Sequence, residues 1–270
     1  MRAAFAYEWM RIRTIRSTWW LTGLALVLGV GVSTLFSWAF HHDFTHSGVS
    51  ASDLDILSPA VVTQLSATGH IPSIVCFILA MLGIFAWGHE YRHGMIRASL
   101  TALNSRPALW IAKYVVVGAW VAVVAAVTMV LSGVVATAFL HDYVTIFTTQ
   151  TWSVIGRQVL YGVLLTWLAM AFTSITRSQA FALVSIFLWP LLVENLTHVF
   201  FAVVPGLRDH TDILRFLPFE AGARMVNVLE DATSTFGAPR LSALGGTVVF
   251  GGVAAVLMAA SFTLFRKRDA

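Results

Sequence analysis

Long uncharged apolar runs, broken by short polar or charged stretches, dominate the chain. A run must reach about 18–20 residues to cross a ~30 Å hydrocarbon core as a helix rising 1.5 Å per residue. Six runs qualify, at about 19–40, 71–88, 114–140, 152–176, 179–204 and 241–265. Trp19, Trp20 and Trp38 mark the two ends of the first, as interfacial aromatics do. Pro72 opens the second in a first helical turn, where proline is tolerated. The third holds 27 uncharged residues and must tilt or extend beyond the bilayer. The pattern therefore predicts an all-α integral membrane protein with six spans.

The polar segments refine this picture. Residues 2–17 carry Arg2, Arg11, Arg13 and Arg16, with Phe5, Trp9 and Ile12 at helical spacing. That predicts an N-terminal interfacial amphipathic helix, aromatic side towards lipid. The 22-residue first run is too long for a signal-peptide core and no small-residue cleavage site closes it, so it is expected to remain as a span. Residues 41–70 and 205–240 read as two large loops. Within the first, His41, His42, Asp43 and His46 read as solvated residues rather than a metal cluster, and Ser58-Pro59 with Val61, Val62 and Leu65 predicts a short surface helix. Within the second, Pro218, Ala221, Met225, Val228 and Leu229 predict a short amphipathic helix.

Composition agrees. The chain is 58% hydrophobic and 11% charged, far from the roughly 25% charged residues of soluble domains. Its basic residues flank apolar runs instead of forming a patch, which argues for lipid headgroups as partners and against nucleic acid. Cys76 lies alone inside a span, so no internal disulfide forms. Charge asymmetry sets the orientation. With both termini inside, twelve Lys and Arg face the cytoplasm (Arg2, Arg11, Arg13, Arg16, Arg92, Arg97, Arg106, Lys113, Arg177, Arg266, Lys267, Arg268). Five face outward: Arg157, Arg208, Arg215, Arg224 and Arg240. Residues 89–113 then form the long cytoplasmic connection, and 41–70 and 205–240 are extracellular.

That connection carries two candidate chemistries. His89-Glu90-Tyr91-Arg92-His93 spells HExxH, in which two histidines one turn apart bind zinc and the glutamate acts as general base. Against an intramembrane zinc metalloprotease stand the cation of Arg92 inside that turn and the helix-weakening Gly94. No third ligand is near, because Glu194 belongs to the far end of the fifth span. In the second reading Gly94 bends the chain after Glu90-Tyr91-Arg92. Met95, Ile96, Ser99, Leu100 and Leu103 then recur as in a short two-sided helix, and Ser105 caps the next helix with Pro107 in its first turn. Glu194 and Asn195, after Pro190, interrupt the fifth span. An ionisable group at that depth usually faces a cavity or partner, and an ion-coupled secondary carrier would use Glu194.

The pattern Glu90-Tyr91-Arg92-x-Gly94-x-Ile96-Arg97-x-x-Leu100-Thr101, followed by Ser105-Arg106 and Lys113, resembles the first cytoplasmic loop of type-2 ABC transporter permeases, especially small actinobacterial-style ones. Glu8-Trp9 in a basic lead-in and Leu217-Pro218 in the last outer segment extend the likeness. The resemblance implies a type-2 ABC exporter fold in a bacterial plasma membrane. Its coupling helix would dock on a cytosolic ATP-binding-cassette ATPase through Glu90, Tyr91, Arg92, Gly94, Arg97, Ser99, Leu100 and Thr101. Partners would be that ATPase and a second permease copy or homologue. The sequence contains no G-x-x-x-x-G-K-[ST] phosphate loop, so ATP and Mg are expected on the partner and no cofactor on this chain. Export of a hydrophobic or amphipathic compound (drug, antibiotic, lipid or peptide) is implied, with Glu194 and Asn195 on the substrate path and re-entrant outer helices over it. This chain itself is then expected not to be an enzyme.

Overall fold

The computed structural model describes residues 1–47, 62, 73–103, 105–226 and 241–267. The helix expected after Ser58-Pro59, and the contributions of Pro72, Val228, Leu229, Arg240 and Arg268, lie outside those residues. The described residues are helical with no strand. The order is α1 (Arg2–Thr14), α2 (Arg16–Ser47), α3 (Ile74–Arg92), α4 (Ile96–Leu103), α5 (Arg106–Leu140), α6 (Thr149–Thr176) and α7 (Gln179–Leu188). A π-helical turn (Trp189–Glu194), α8 (Asn195–Val203), a 3-10 stretch (Arg208–Phe216), α9 (Pro218–Val226) and α10 (Ala243–Lys267) follow. Six stretches are long and apolar enough to cross a membrane: α2, α3, α5, α6, α7 to α8, and α10. Among the described residues the protein is thus all helical, with the six spans of a multi-pass membrane protein.

The central rod is α3, buried at every position from Val75 to Ala80. It packs most closely on α6, and Gly83 makes that approach possible. A Cβ there would stand 2.8 Å from Met170 and Thr166 side-chain carbons and 2.9 Å from the Thr166 carbonyl oxygen. Outer faces stay apolar, as lipid requires: Val27 and Leu35 on α2, Val123 and Val134 on α5, and Val248 and Val256 on α10 are all exposed. On α10, Gly246, Phe250, Ala254, Ser261 and Phe265 face inward.

Several boundaries differ from the sequence reading. The first helix runs on to Ser47, because histidines and Phe44 continue it beyond the apolar run. The third is 35 residues long, since Ser105 Oγ accepts from the Ala108 amide at 3.4 Å and starts it at Arg106. The fifth span is not one α-helix. Pro190 cannot donate to the preceding turn, the ladder widens into the π turn, and inward residues recur every four positions: Ala182, Ile186, Pro190, Glu194 and His198. Finally, α1 buries Ala4, Glu8 and Ile12 while Trp9 is half exposed, so its inward stripe is centred on a carboxylate and not on the aromatics. Helix α9 forms where the sequence places a short amphipathic helix, but it is buried from Phe219 to Val226, so its polar side, with Glu220 and Arg224, lies inside the structure and not on the surface.

Gly83→Ala should lower the melting temperature of the purified protein, corresponding to about 1–3 kcal/mol of overpacking because one obstructing atom is backbone. Gly156→Ala, where a Cβ meets nothing within 4 Å, should leave it unchanged or slightly raised. Equal melting of the two variants would refute the close α3–α6 approach.

Candidate functional site

Where α1, α3 and α5 converge, four charged side chains meet out of solvent. Glu8, Glu90 and Lys113 have no exposed surface, and the Arg11 side chain is 11% exposed. The Lys113 ammonium donates to Glu8 Oε1 and Glu90 Oε1, each at 2.7 Å, and to the Ala86 carbonyl at 3.3 Å. Arg11 Nη1 donates to Glu8 Oε2 at 3.0 Å and Glu90 Oε1 at 2.8 Å, while Nη2 donates to the same Ala86 carbonyl. Lys113 also lies 5.0 Å from the centre of the Trp87 ring. Two carboxylates and two cations balance, which is what makes burial tolerable. An exposed carboxylate at Glu90, reaching for a partner subunit, is therefore not what this chain has. Glu90 faces inward.

The short helix α4 is carried directly by this cluster. The Met95 amide donates to the Glu90 carbonyl at 3.0 Å, and Gly94 turns the chain with φ +63°. One face of α4 is seated, with Ile96 and Ser99 buried and the Ser99 hydroxyl 3.0 Å from the Tyr7 hydroxyl of α1. Leu100 and Tyr91 are half-buried. The other face is open, with Met95, Arg97, Ala98 and Thr101 exposed, and Arg92 and His93 exposed just before it. Of the residues singled out in sequence, Arg92, Gly94, Arg97 and Thr101 share that open side, whereas Glu90 and Ser99 hold the helix from within.

The HExxH geometry does not form a zincin site. The His89 and His93 rings are 6.5 Å apart at 61°, and His89 stacks on Phe85 at 5.2 Å. Two imidazoles on one tetrahedral zinc, with Zn–N bonds of about 2 Å, place their centres roughly 5 Å apart. Glu90, the required general base, is held by Lys113 and Arg11. Among the described residues no three His, Cys, Asp or Glu side chains converge as a metal site.

Glu194 and Asn195, at the end of the π turn, differ in exposure. Asn195 is exposed and its carboxamide donates to the Pro190 and Leu191 carbonyls at 3.2 and 3.0 Å. Glu194 is fully buried and accepts from the Phe219 amide (2.8 Å) and the Glu220 amide (2.9 Å). Its carboxylate caps α9 from another helix, meeting orphan N–H groups and the positive end of that helix's dipole. The group that a substrate path or an ion-coupled carrier would use is thereby committed to fold closure. Beside it, an apolar cavity of about 480 Å³ lies between α6, the π turn, α9 and α10, walled by Leu168, Phe172, Trp189, Phe219 and Val253. Its lining is apolar, and the exposed Trp189 and Val256 at its border leave it open on the outer face of the bundle.

Sequence reasoning missed the partnership of Glu8, Arg11 and Lys113 with Glu90. The available signal was local: Glu8 and Arg11 sit one turn apart, and Lys113 lies at the edge of the third apolar run. No protein-family model matches this chain, and no curated protein matches it significantly.

Lys113→Met should destabilise the protein by about 3–5 kcal/mol, because Arg11 alone is then left against two buried carboxylates. Adding Glu90→Gln to it, which leaves Glu8 and Arg11 as one balanced pair, should restore most of the loss in a thermal melt. Glu194→Gln should cost about 0.5–2 kcal/mol, the worth of a helix cap, and speed hydrogen exchange at the Phe219 and Glu220 amides before other sites.

Proposed function

We propose that this chain is the membrane-spanning subunit of a type-2 ABC exporter in a bacterial plasma membrane, with both termini cytoplasmic. It works with a separate cytosolic ATPase and a second permease subunit. The observation that carries the reading is α4, a short helix between two spans with one face seated on the bundle and the other open. Its attachment supports a mechanical role. Force applied to Arg97 and Thr101 passes through Ile96, Ser99 and the Glu90 backbone into α3, and through the ion cluster into α1 and α5 together. A loop lacking those fastenings would absorb the displacement instead. In this reading Arg97 and Thr101 meet the ATPase, Arg92 and Gly94 sit at the bend that aims them, and Glu90, Tyr91, Ser99 and Leu100 transmit. The cargo is a hydrophobic or amphipathic compound, and the cavity of about 480 Å³ beside the π turn offers it an apolar surface.

Co-expression with a candidate ATP-binding-cassette ATPase from the same genome should yield a stable complex whose ATPase rate depends on this chain. Arg97→Glu should weaken complex formation roughly tenfold, or ~1.4 kcal/mol, without changing the melting temperature of this subunit alone. Unaltered co-purification and ATPase rate with Arg97→Glu and Thr101→Trp combined would overturn α4 as the docking element.

A further inference from the structure

A second cavity, of about 490 Å³, opens where α3 ends and α7 begins. Its walls include Gly88, Tyr91 and Arg92 on one side and Arg177, Ser178 and Gln179 on the other. Arg92 is the last residue of α3, and Arg177 links α6 to α7, so the cleft sits at the edge of the apolar spans, at headgroup depth. No acidic side chain is among its lining residues, although two arginines from different helices are.

Two further features favour an anion there, and a third favours a headgroup that carries a hydroxyl. The first residues of α7 present backbone amides with no partner inside the helix, and the dipole of that helix adds positive potential. Ser178 caps this end, its hydroxyl oxygen accepting from the Phe181 amide at 3.3 Å. Arg177 adopts φ +55°, the one non-glycine residue with positive φ among the described residues, and its guanidinium lies 5.7 Å from the centre of the Tyr91 ring. A left-handed arginine is an unfavourable choice where glycine or asparagine would turn the chain, so what the position retains is the guanidinium, aimed by the ring. The Gln179 carboxamide oxygen is buried with no hydrogen-bond partner among the described residues, an acceptor that a headgroup hydroxyl such as those of phosphatidylglycerol would satisfy and that an acyl chain or a bare phosphate would not. Basic pockets between spans at a membrane surface suit phospholipid headgroups.

We propose that this cleft binds the phosphate of an anionic phospholipid, clamped between Arg92 and Arg177 with the α7 amides behind it. The lipid then fastens the end of α3, from which α4 projects, to the start of α7. This inference rests on the membrane placement of the chain and not on the transport reading, so it holds or fails whether or not an ATPase binds.

The test is native mass spectrometry of the purified full chain with phosphatidylglycerol or phosphatidylcholine. Phosphatidylglycerol should survive detergent stripping as a bound species and phosphatidylcholine should not. Arg92→Gln combined with Arg177→Asn should reduce the retained lipid about tenfold. Asparagine tolerates the left-handed backbone, so that loss reports charge and not folding, and Arg177→Lys should keep most of the binding. Arg13→Gln, which removes an exposed charge from α1, should leave retention unchanged. The proposal is overturned if Arg13→Gln weakens binding as much, or if phosphatidylcholine is held equally well. It is also overturned if millimolar inorganic phosphate displaces the lipid, since a free anion would then be the ligand.

Discussion

The buried union of Glu8, Arg11, Glu90 and Lys113 is the constraint on which one end of this molecule depends. Each of these charges alone would be expensive at the edge of a hydrocarbon layer, where little water reaches it. They are tolerated only together, and together means only when α1, α3 and α5 have all arrived. The cluster therefore specifies an arrangement more than it adds stability. Two well-packed apolar side chains would hold the helices as firmly but would permit several registers. Short hydrogen bonds from Lys113 to both carboxylates, and from Arg11 to the same two, permit one.

Specification by polar contacts has a general reason here. In a bilayer, lipid tails solvate apolar side chains as well as a neighbouring helix does, so hydrophobic burial chooses poorly among helix arrangements. This chain supplies discriminating contacts at both ends of its bundle. At one end they are the ion cluster and the Tyr7–Ser99 hydroxyl pair. At the other they are the Glu194 carboxylate on the first amides of α9. Between them, tryptophans use their single donor in the same way: Trp110 reaches Ser261, Trp120 reaches Thr22, and Trp167 reaches the Tyr114 carbonyl. The spans are apolar enough to enter a membrane, and these few groups say how they sit once inside.

What could be read from the sequence follows from which physics is local. Span number and the short helix after Gly94 were legible, because run length and three- and four-residue spacing are properties of neighbouring positions. The Ser105 cap was legible for the same reason. The charged residues were visible but not their destinations: Glu90 looked like a surface group beside Arg92, and only its distant partners Glu8, Arg11 and Lys113 turn it inward. Likewise Glu194 read as a path-lining acid, since nothing in residues 189–195 announces a helix start some 25 positions later. The stripe on α1 misled because Phe5 and Trp9 are more conspicuous than Ala4 and Glu8, yet it is the small Ala4 that fits against Ala108 and Ala112 of α5, and Glu8 that Lys113 draws inward.

The π turn in the fifth span has a geometric consequence. An ordinary α-helix turns about 100° per residue, so positions four apart advance by roughly 40° each step. Over the sixteen residues from Ala182 to His198 that drift would reach about 160°, carrying Glu194 and His198 round to the lipid side. A segment with i→i+5 bonding winds more slowly, and six such residues cancel roughly 100° of it. The wide turn thus acts as a rotational correction that holds both ionisable groups within roughly 60° of the meridian of Ala182 and Ile186, inside the bundle. Removing one residue from it would swing the Glu194 carboxylate out of the bundle and leave the first turn of α9 without its anion.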